Sequence, residues 1–263
     1  TLSSGTVFVL SLSGLSGTSN SFDLGGGVGS LTPLVSVPVR GDGGSSGNFG
    51  KTLTAADVDG DGTDELIIGD RGAQCADGNA NCGQIYVYET KGRTGDLGAP
   101  DSTPAALLAT LEGDEGSSLG YGLNVLRQPT SGDTSDWIIA SALQGATAVK
   151  LYKATSIGGS PGLTGEVQSL GNDVRGNGSN TFDASKLATL GDVGDGNYDF
   201  VIGGTSTYLR WIKITNGVAA DIGILRCPNQ STCATPFSLE LGSDKLGLVV
   251  ENDASNKSVI LLK

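Results

Sequence analysis

A short acidic turn that recurs along the chain is the sequence feature that most constrains its fold. The turns lie near residues 59, 133, 194 and 253, which gives a repeat of about 60 to 75 residues. In the first copy, apolar stretches flank the turn at residues 52–56, 65–69, 84–89 and 106–112. Several stretches alternate apolar and polar residues, as half-buried β-strands do. Because four short antiparallel strands make a β-propeller blade, the repeat predicts an all-β propeller of about four blades, each a four-stranded antiparallel sheet.

The repeat predicts a single propeller domain over residues 1–263. Blade one is expected at residues 47–113, blade two at 117–172, blade three at 180–242, and blade four at 243–263 together with 1–40. The last strand of blade three is expected at PFSLE, after the second cysteine pair. Blade four is therefore shared between the N- and C-terminal segments. GTVFVL and PLVSVPV near the N-terminus match the third and fourth strands of blade one, and the C-terminal segment supplies the first two strands. Sharing a blade in this way removes free strand edges.

The terminal segments leave several arrangements open. The N-terminal stretches could be two strands of a separate segment. If they are a half-blade, the two halves could close a ring within one molecule, or join between molecules and build a filament. The chain could also be a piece of a longer propeller.

The first acidic turn, DVDGDGTDE at residues 57–65, has the composition of a calcium loop. Ca²⁺ prefers six to eight hard oxygen ligands, and alternate acidic residues in a turn can point inward. Gly60 and Gly62 let the backbone curl tightly. The expected ligands are the carboxylates of Asp57, Asp59, Asp61 and Glu65 and the carbonyl of Thr63. Strands flank this loop, and it lacks the distal Glu of an EF-hand, so we expect a structural ion.

The other turns are shortened or altered copies of the first. Blade three reads GDVGDGNYD, and its candidate calcium ligands are Asp192, Asp195, Asp199 and the carbonyl of Asn197. In blade two, Asp133 and Asp136 remain but Arg127 lies close by. In blade four, Lys257 stands near the acidic residues. We expect no calcium in blades two and four, because a side-chain cation can balance the acids there.

Blade one resembles the FG-GAP repeat of integrin α-subunit propellers. Asn48-Phe49-Gly50 stands at the FG position, residues 67–71 (IIGDR) stand at the GAP element without its Ala-Pro, and GQIYVY follows. The likeness is strong in blade one, fair in blade three and weak in blades two and four. It implies a blade design and calcium chemistry. Integrin-type propellers have seven blades, whereas this chain has material for about four.

Composition narrows the functional class. Two local disulfides are expected, Cys75–Cys82 and Cys227–Cys233, and they indicate a secreted, extracellular protein. The net charge of −12 disfavours nucleic acid and anionic lipid, and no apolar run is long enough to insert into a membrane. The chain has no histidine, which removes the common catalytic triads, so we expect no enzyme.

These features favour a secreted calcium-binding propeller that acts as a structural, adhesion or assembly module. It would bind a protein partner or self-associate through the terminal half-blades, and it could form an extracellular filament. One alternative is a lectin-like propeller that binds glycan. A less favoured alternative is a carbohydrate-active lyase with a Lys or Tyr base.

Overall fold

The computed structural model describes most of the repeat region and parts of both terminal segments. The described residues are 6–10, 33–38, 48–75, 78, 81–102, 104–142, 147–157, 160–171, 182–192, 195–204, 208–226, 235–240, 246–253 and 256–262. They form strands, apart from turns and one short 3₁₀ helix at Pro100–Ser102. No helix among them is long and apolar enough to cross a membrane. The predicted Cys227–Cys233 disulfide lies outside the described residues.

Three central sheets are four-stranded antiparallel meanders, as expected for blades. Blade one contains β3 (Thr52–Ala56), β4 (Glu65–Asp70), β5 (Gln84–Tyr88) and β7 (Leu107–Glu112). Blade two contains β8 (Leu119–Leu126), β9 (Trp137–Ala142), β10 (Thr147–Ile157) and β11 (Ser160–Gly171). Blade three contains β12 (Phe182–Gly191), β13 (Tyr198–Gly204), β14 (Tyr208–Thr215) and β15 (Val218–Arg226). The predicted all-β, propeller-like architecture is confirmed.

The terminal segments form two further sheets. In the N-terminal sheet, β1 (Thr6–Leu10) pairs with β2 (Pro33–Pro38), and β6 (Gly95–Asp96) runs parallel to β2. The C-terminal sheet contains β16 (Thr235–Glu240), β17 (Leu246–Asp253) and β18 (Asn256–Leu262).

Successive sheets pack face to face in chain order, and the core lies between them. Alternate residues of a strand point to opposite faces, so a continuous apolar run can contact two neighbours. On β4, Ile67 packs in the cluster shared with blade two, and Ile68 packs against the N-terminal sheet. On β9, Ile138 faces blade one and Ile139 faces blade three. This stacking brings the turns of neighbouring blades close together.

The Cys75–Cys82 disulfide is confirmed, with its Cα atoms 4.9 Å apart. It closes the loop between β4 and β5 on the side of blade two. The backbone amide of Leu119, at the start of β8, donates to the Cys82 carbonyl at 2.8 Å. The disulfide loop of blade one is therefore held against the first strand of blade two.

The fourth strand of blade three differs from the prediction, which placed it after the second cysteine pair. The structure uses β15 instead, joined to β14 by Asn216 and Gly217. Both residues have positive φ, 51° and 79°, which is the type I′ geometry of a two-residue hairpin. The predicted strand, PFSLE, is β16, and it pairs with β17 rather than with blade three.

The terminal sheets differ in strand number from the predicted half-blades of blade four. The C-terminal segment supplies three strands rather than two, and β17 has β16 on one edge and β18 on the other. The N-terminal β2 likewise has β1 on one edge and β6 on the other. Within the described strands, the two terminal segments form separate sheets. β1 and β18, whose pairing would join the two halves, each lie at the end of their sheet, so the sharing of blade four stays a prediction.

Candidate metal centre

The acidic turn of blade one connects β3 to β4. The residue pair of these two strands that lies next to the turn is Ala56 with Glu65. Asp57 organises the turn, because its carboxylate accepts hydrogen bonds from three backbone amides. These come from Gly60 at 2.8 Å, Asp61 at 3.0 Å and Gly62 at 2.9 Å. Both glycines have positive φ, 78° and 86°, which other residues adopt only at a cost. The sequence pattern therefore folds the loop around its first aspartate.

The turn brings three carboxylates together. Oxygen atoms of Asp57, Asp59 and Asp61 lie within 4.8 Å of one another, and they form the one such acidic group in the part of the chain that the structure describes. Partial burial raises the pKa of Asp59, and the nearby charges of Asp61, Glu89 and Asp57 raise it further. Such a group repels itself strongly unless a cation balances it.

Glu65 lies at the start of β4 and is fully buried. Its Oε2 accepts a hydrogen bond from the Val58 amide at 2.9 Å, while its Oε1 is buried without a hydrogen-bond partner. Burial, followed by the charges of Asp59 and other nearby acids, raises the pKa of Glu65 to about 8. A buried carboxylate oxygen without a partner is costly, and a bound cation would compensate it. The donor set therefore fits a hard divalent cation.

Lys91 follows β5 and reaches the same turn. Its Nζ lies 2.9 Å from Asp61 Oδ2 and 3.3 Å from the Asp61 carbonyl oxygen. This hydrogen bond lowers the pKa of Asp61 and raises the pKa of Lys91. Thr63, the remaining predicted ligand, donates its amide to Asp61 Oδ1 at 2.9 Å. The role of its carbonyl stays a prediction.

The turn of blade three repeats the hydrogen bonds of blade one. Asp192 Oδ1 accepts from the amides of Asp195 at 3.0 Å and Gly196 at 2.9 Å, and Asp195 Oδ1 accepts from the Asn197 amide at 3.1 Å. The ammonium of Lys213 bonds Asp195 Oδ2, as Lys91 bonds Asp61. What this shortened turn lacks is a residue equivalent to Asp59.

The last predicted ligand of blade three, Asp199, occupies the position that Glu65 has in blade one. It is fully buried, its Oδ1 accepts from Trp211 Nε1 at 2.6 Å, and its Oδ2 has no hydrogen-bond partner. Burial raises the pKa of Asp199. Calcium binding by the blade-three set stays a prediction, since its described carboxylates do not form a close group of three.

In blade two, side chains hold both acidic residues of the turn. The carboxylate of Asp133 accepts hydrogen bonds from Thr130, Trp137 and Lys153. Asp136 pairs with Arg127 and also accepts the backbone amide of Asp57 in blade one. Sequence reasoning missed this last contact, because it depends on how the blades stack. The fourth turn, with Lys257, lies outside the residues whose side chains the structure describes.

The stacked antiparallel sheets and the acidic turn between the first two strands of a sheet define a propeller-like, all-β class of protein. Within it, residues 49–88 match the family model of the FG-GAP repeat. The matched segment covers β3, the acidic turn, β4 and β5. No curated protein matches the chain.

Proposed function

We propose that this chain is a secreted, non-catalytic propeller module that binds calcium and serves a structural, adhesion or assembly role. The observation that carries the proposal is the close group of Asp57, Asp59 and Asp61. Glu65 lies outside that group, but the charges of Asp59 and Asp57 act on it, and its Oε1 is buried without a hydrogen-bond partner. The match of residues 49–88 to the FG-GAP repeat also supports calcium binding, because repeats of this family often bind calcium. The ion would tie the end of β3 to the start of β4.

The type of donor favours calcium among divalent ions. All the donors in the turn are oxygen atoms. Hard cations such as Ca²⁺ and Mg²⁺ prefer oxygen ligands, whereas many transition metals favour nitrogen or sulfur ligands. A turn with carboxylates of different depth suits the larger and more variable coordination shell of Ca²⁺ better than the strict octahedron of Mg²⁺. The residues that would hold the ion are Asp57, Asp59, Asp61, Glu65 and Thr63.

Calorimetric titration of metal-depleted protein with Ca²⁺ tests the proposal. The informative variant is Asp59→Asn, because asparagine keeps an oxygen that can accept the Asp61 amide while it loses the charge. We expect saturable binding by the parent and affinity at least about tenfold weaker in the variant, since calcium affinity follows ligand charge. The matched control is Glu115→Gln, an exposed acid in the turn before β8. Absence of saturable binding by the parent would contradict the proposal.

The lysines next to the acidic turns support a non-catalytic role. A lysine that serves as a general base needs a lowered pKa, which burial supplies. Lys91 and Lys213 instead have raised pKa values, because each donates a hydrogen bond to an aspartate of its turn. They are ammonium ions at neutral pH, so the lyase alternative receives no support from them.

Secretion and assembly rest on other observations. The Cys75–Cys82 disulfide supports an oxidising compartment. In the N-terminal sheet, Val35 and Val37 are buried against blade one, whereas Phe8 and Leu34 on the opposite face are 44% and 47% exposed. We propose that this apolar face contacts a second copy of the chain.

A further inference from the structure

The acidic turn of blade one is bonded at its base to the turn of blade two. The Asp136 amide donates to the Asp57 carbonyl at 2.7 Å, and the Asp57 amide donates to Asp136 Oδ2 at 3.1 Å. Asp136 is 2% exposed, so these bonds are shielded from water. They hold the backbone of the residue whose carboxylate organises the whole turn.

Arg127 makes a second connection between the two turns. Its guanidinium binds both carboxylate oxygens of Asp64, at 2.9 and 3.1 Å, and bonds the Ala55 carbonyl at 3.2 Å. The same guanidinium pairs with Asp136. Ala55 lies at the end of β3 and Asp64 just before β4, so Arg127 fastens both ends of the loop. Paired, bidentate geometry of this kind fixes orientation as well as adding attraction.

A third contact lies at the tip of the turn. A Cβ placed on Gly60 would lie 2.8 Å from Thr134 Oγ1, so the backbone of the acidic loop packs directly on the blade-two turn. Residues 127–136 of blade two therefore touch the loop at its two ends, at its first aspartate and at its tip. Inside blade two, Asp136 stands where blade one has Glu65 and blade three has Asp199.

We propose that residues 127–136 form the outer part of the blade-one metal centre, with Asp136 and Arg127 as positioning residues that hold the loop in its binding shape. This inference rests on the proposed calcium binding. Because linkage is reciprocal, calcium would also tighten the contact between blades one and two, beyond tying β3 to β4. A turn that has lost its own site thus supports the neighbouring one.

The test compares two acids of the same turn, one that contacts blade one and one that does not. Asp136 contacts blade one, whereas Asp133 is held by Thr130, Trp137 and Lys153 within blade two. Asp136→Asn and Asp133→Asn remove the same charge. We expect about tenfold weaker Ca²⁺ binding in the first, as is usual for residues that orient metal ligands, and an affinity within about twofold of the parent in the second.

A third variant, Arg127→Gln, separates positioning from net charge. Its side chain is 56% exposed, so the replacement leaves the core intact. Loss of a positive charge next to an acidic loop would by itself strengthen Ca²⁺ binding. Loss of positioning weakens it, and we expect an affinity about tenfold below that of the parent. Binding as tight as in the parent, or tighter, would overturn the proposal, as would equal weakening by Asp133→Asn and Asp136→Asn.

Hydrogen exchange on the parent protein tests the reciprocal effect without any variant. Calcium should slow exchange of the Asp136 amide and its neighbours in residues 127–136, in addition to residues 57–65. Protection confined to residues 57–65 would contradict the coupling. These outcomes differ from failure of the proposed function, in which the parent would show no saturable binding at all.

Discussion

At the scale of single residues, the metal loop already carries a cation on one of its proposed ligands. Lys91 Nζ bonds Asp61 Oδ2, an oxygen of one of the proposed calcium ligands. An ammonium ion at this position competes with a metal and reduces the negative charge of the loop. Lys91→Met should therefore strengthen Ca²⁺ binding several-fold in a calorimetric titration. The gain should shrink at high salt, because both side chains are partly exposed.

A control for this variant separates local competition from net charge. Lys51, just before β3, is also exposed, and Lys51→Met changes the net charge of the protein by the same amount. We expect it to leave the affinity for Ca²⁺ close to that of the parent. Equal gains from the two variants would show that overall charge, rather than the contact with Asp61, controls the affinity.

At the scale of elements, the turn between β14 and β15 decides which segment completes blade three. Gly217 has a φ of 79°, and a Cβ there would meet nothing within 4 Å, so its role is purely conformational. Gly217→Ala should lower the free energy of unfolding by about 1 to 2 kcal/mol, the cost of a left-handed conformation for an L-residue. Denaturation followed by Trp211 fluorescence measures this loss.

Gly223 on β15 provides the matched control for that prediction. A Cβ there also meets nothing within 4 Å, but its φ lies outside the positive region. Gly223→Ala should therefore change the free energy of unfolding by less than about 1 kcal/mol. If both variants were equally destabilised, backbone conformation at Gly217 would not be the cause.

Strand β15 and the acidic turns show what the sequence could and could not predict. The first two strands of blades one to three follow from an acidic turn between apolar stretches, and the structure places all of them. β15 was missed because PFSLE resembled a fourth strand, although Asn216-Gly217 between two apolar runs is a strong hairpin signal. The contact of Asp136 with Asp57 could not be predicted, because it arises from the stacking of two sheets and not from a local pattern.

At the scale of the whole molecule, the proposed calcium site lies at the packed contact between blades one and two. The hydrophobic cluster between blades one and two includes Val58, which lies within the acidic turn. Leu126, the residue just before Arg127, packs in the next cluster, between blades two and three. The proposed ion would therefore sit beside the contact between two blades. A propeller-like stack depends on such contacts, since each sheet buries its faces only against its neighbours.

The outer face of the N-terminal sheet has no such neighbour among the described residues. Phe8 and Leu34 share this face, because Phe8 pairs with Ser36, two residues along β2 from Leu34. If a second copy covers the face, Phe8→Ser combined with Leu34→Ser should shift the protein toward monomer in sedimentation velocity. Raising the salt concentration should favour association of the parent, because it screens the net charge of −12.

The matched control removes apolar side chains of similar exposure from another place. Val218 and Ile222 on β15 are 60% and 47% exposed, and replacing both by serine should leave association unchanged. The apolar residues of β1 and β2 that are buried against blade one stay intact in both double variants, so folding is preserved. A parent that remains monomeric at high concentration and high salt would contradict the proposal. Equal loss of association in the two double variants would place the contact elsewhere, because a specific face must respond to its own residues alone.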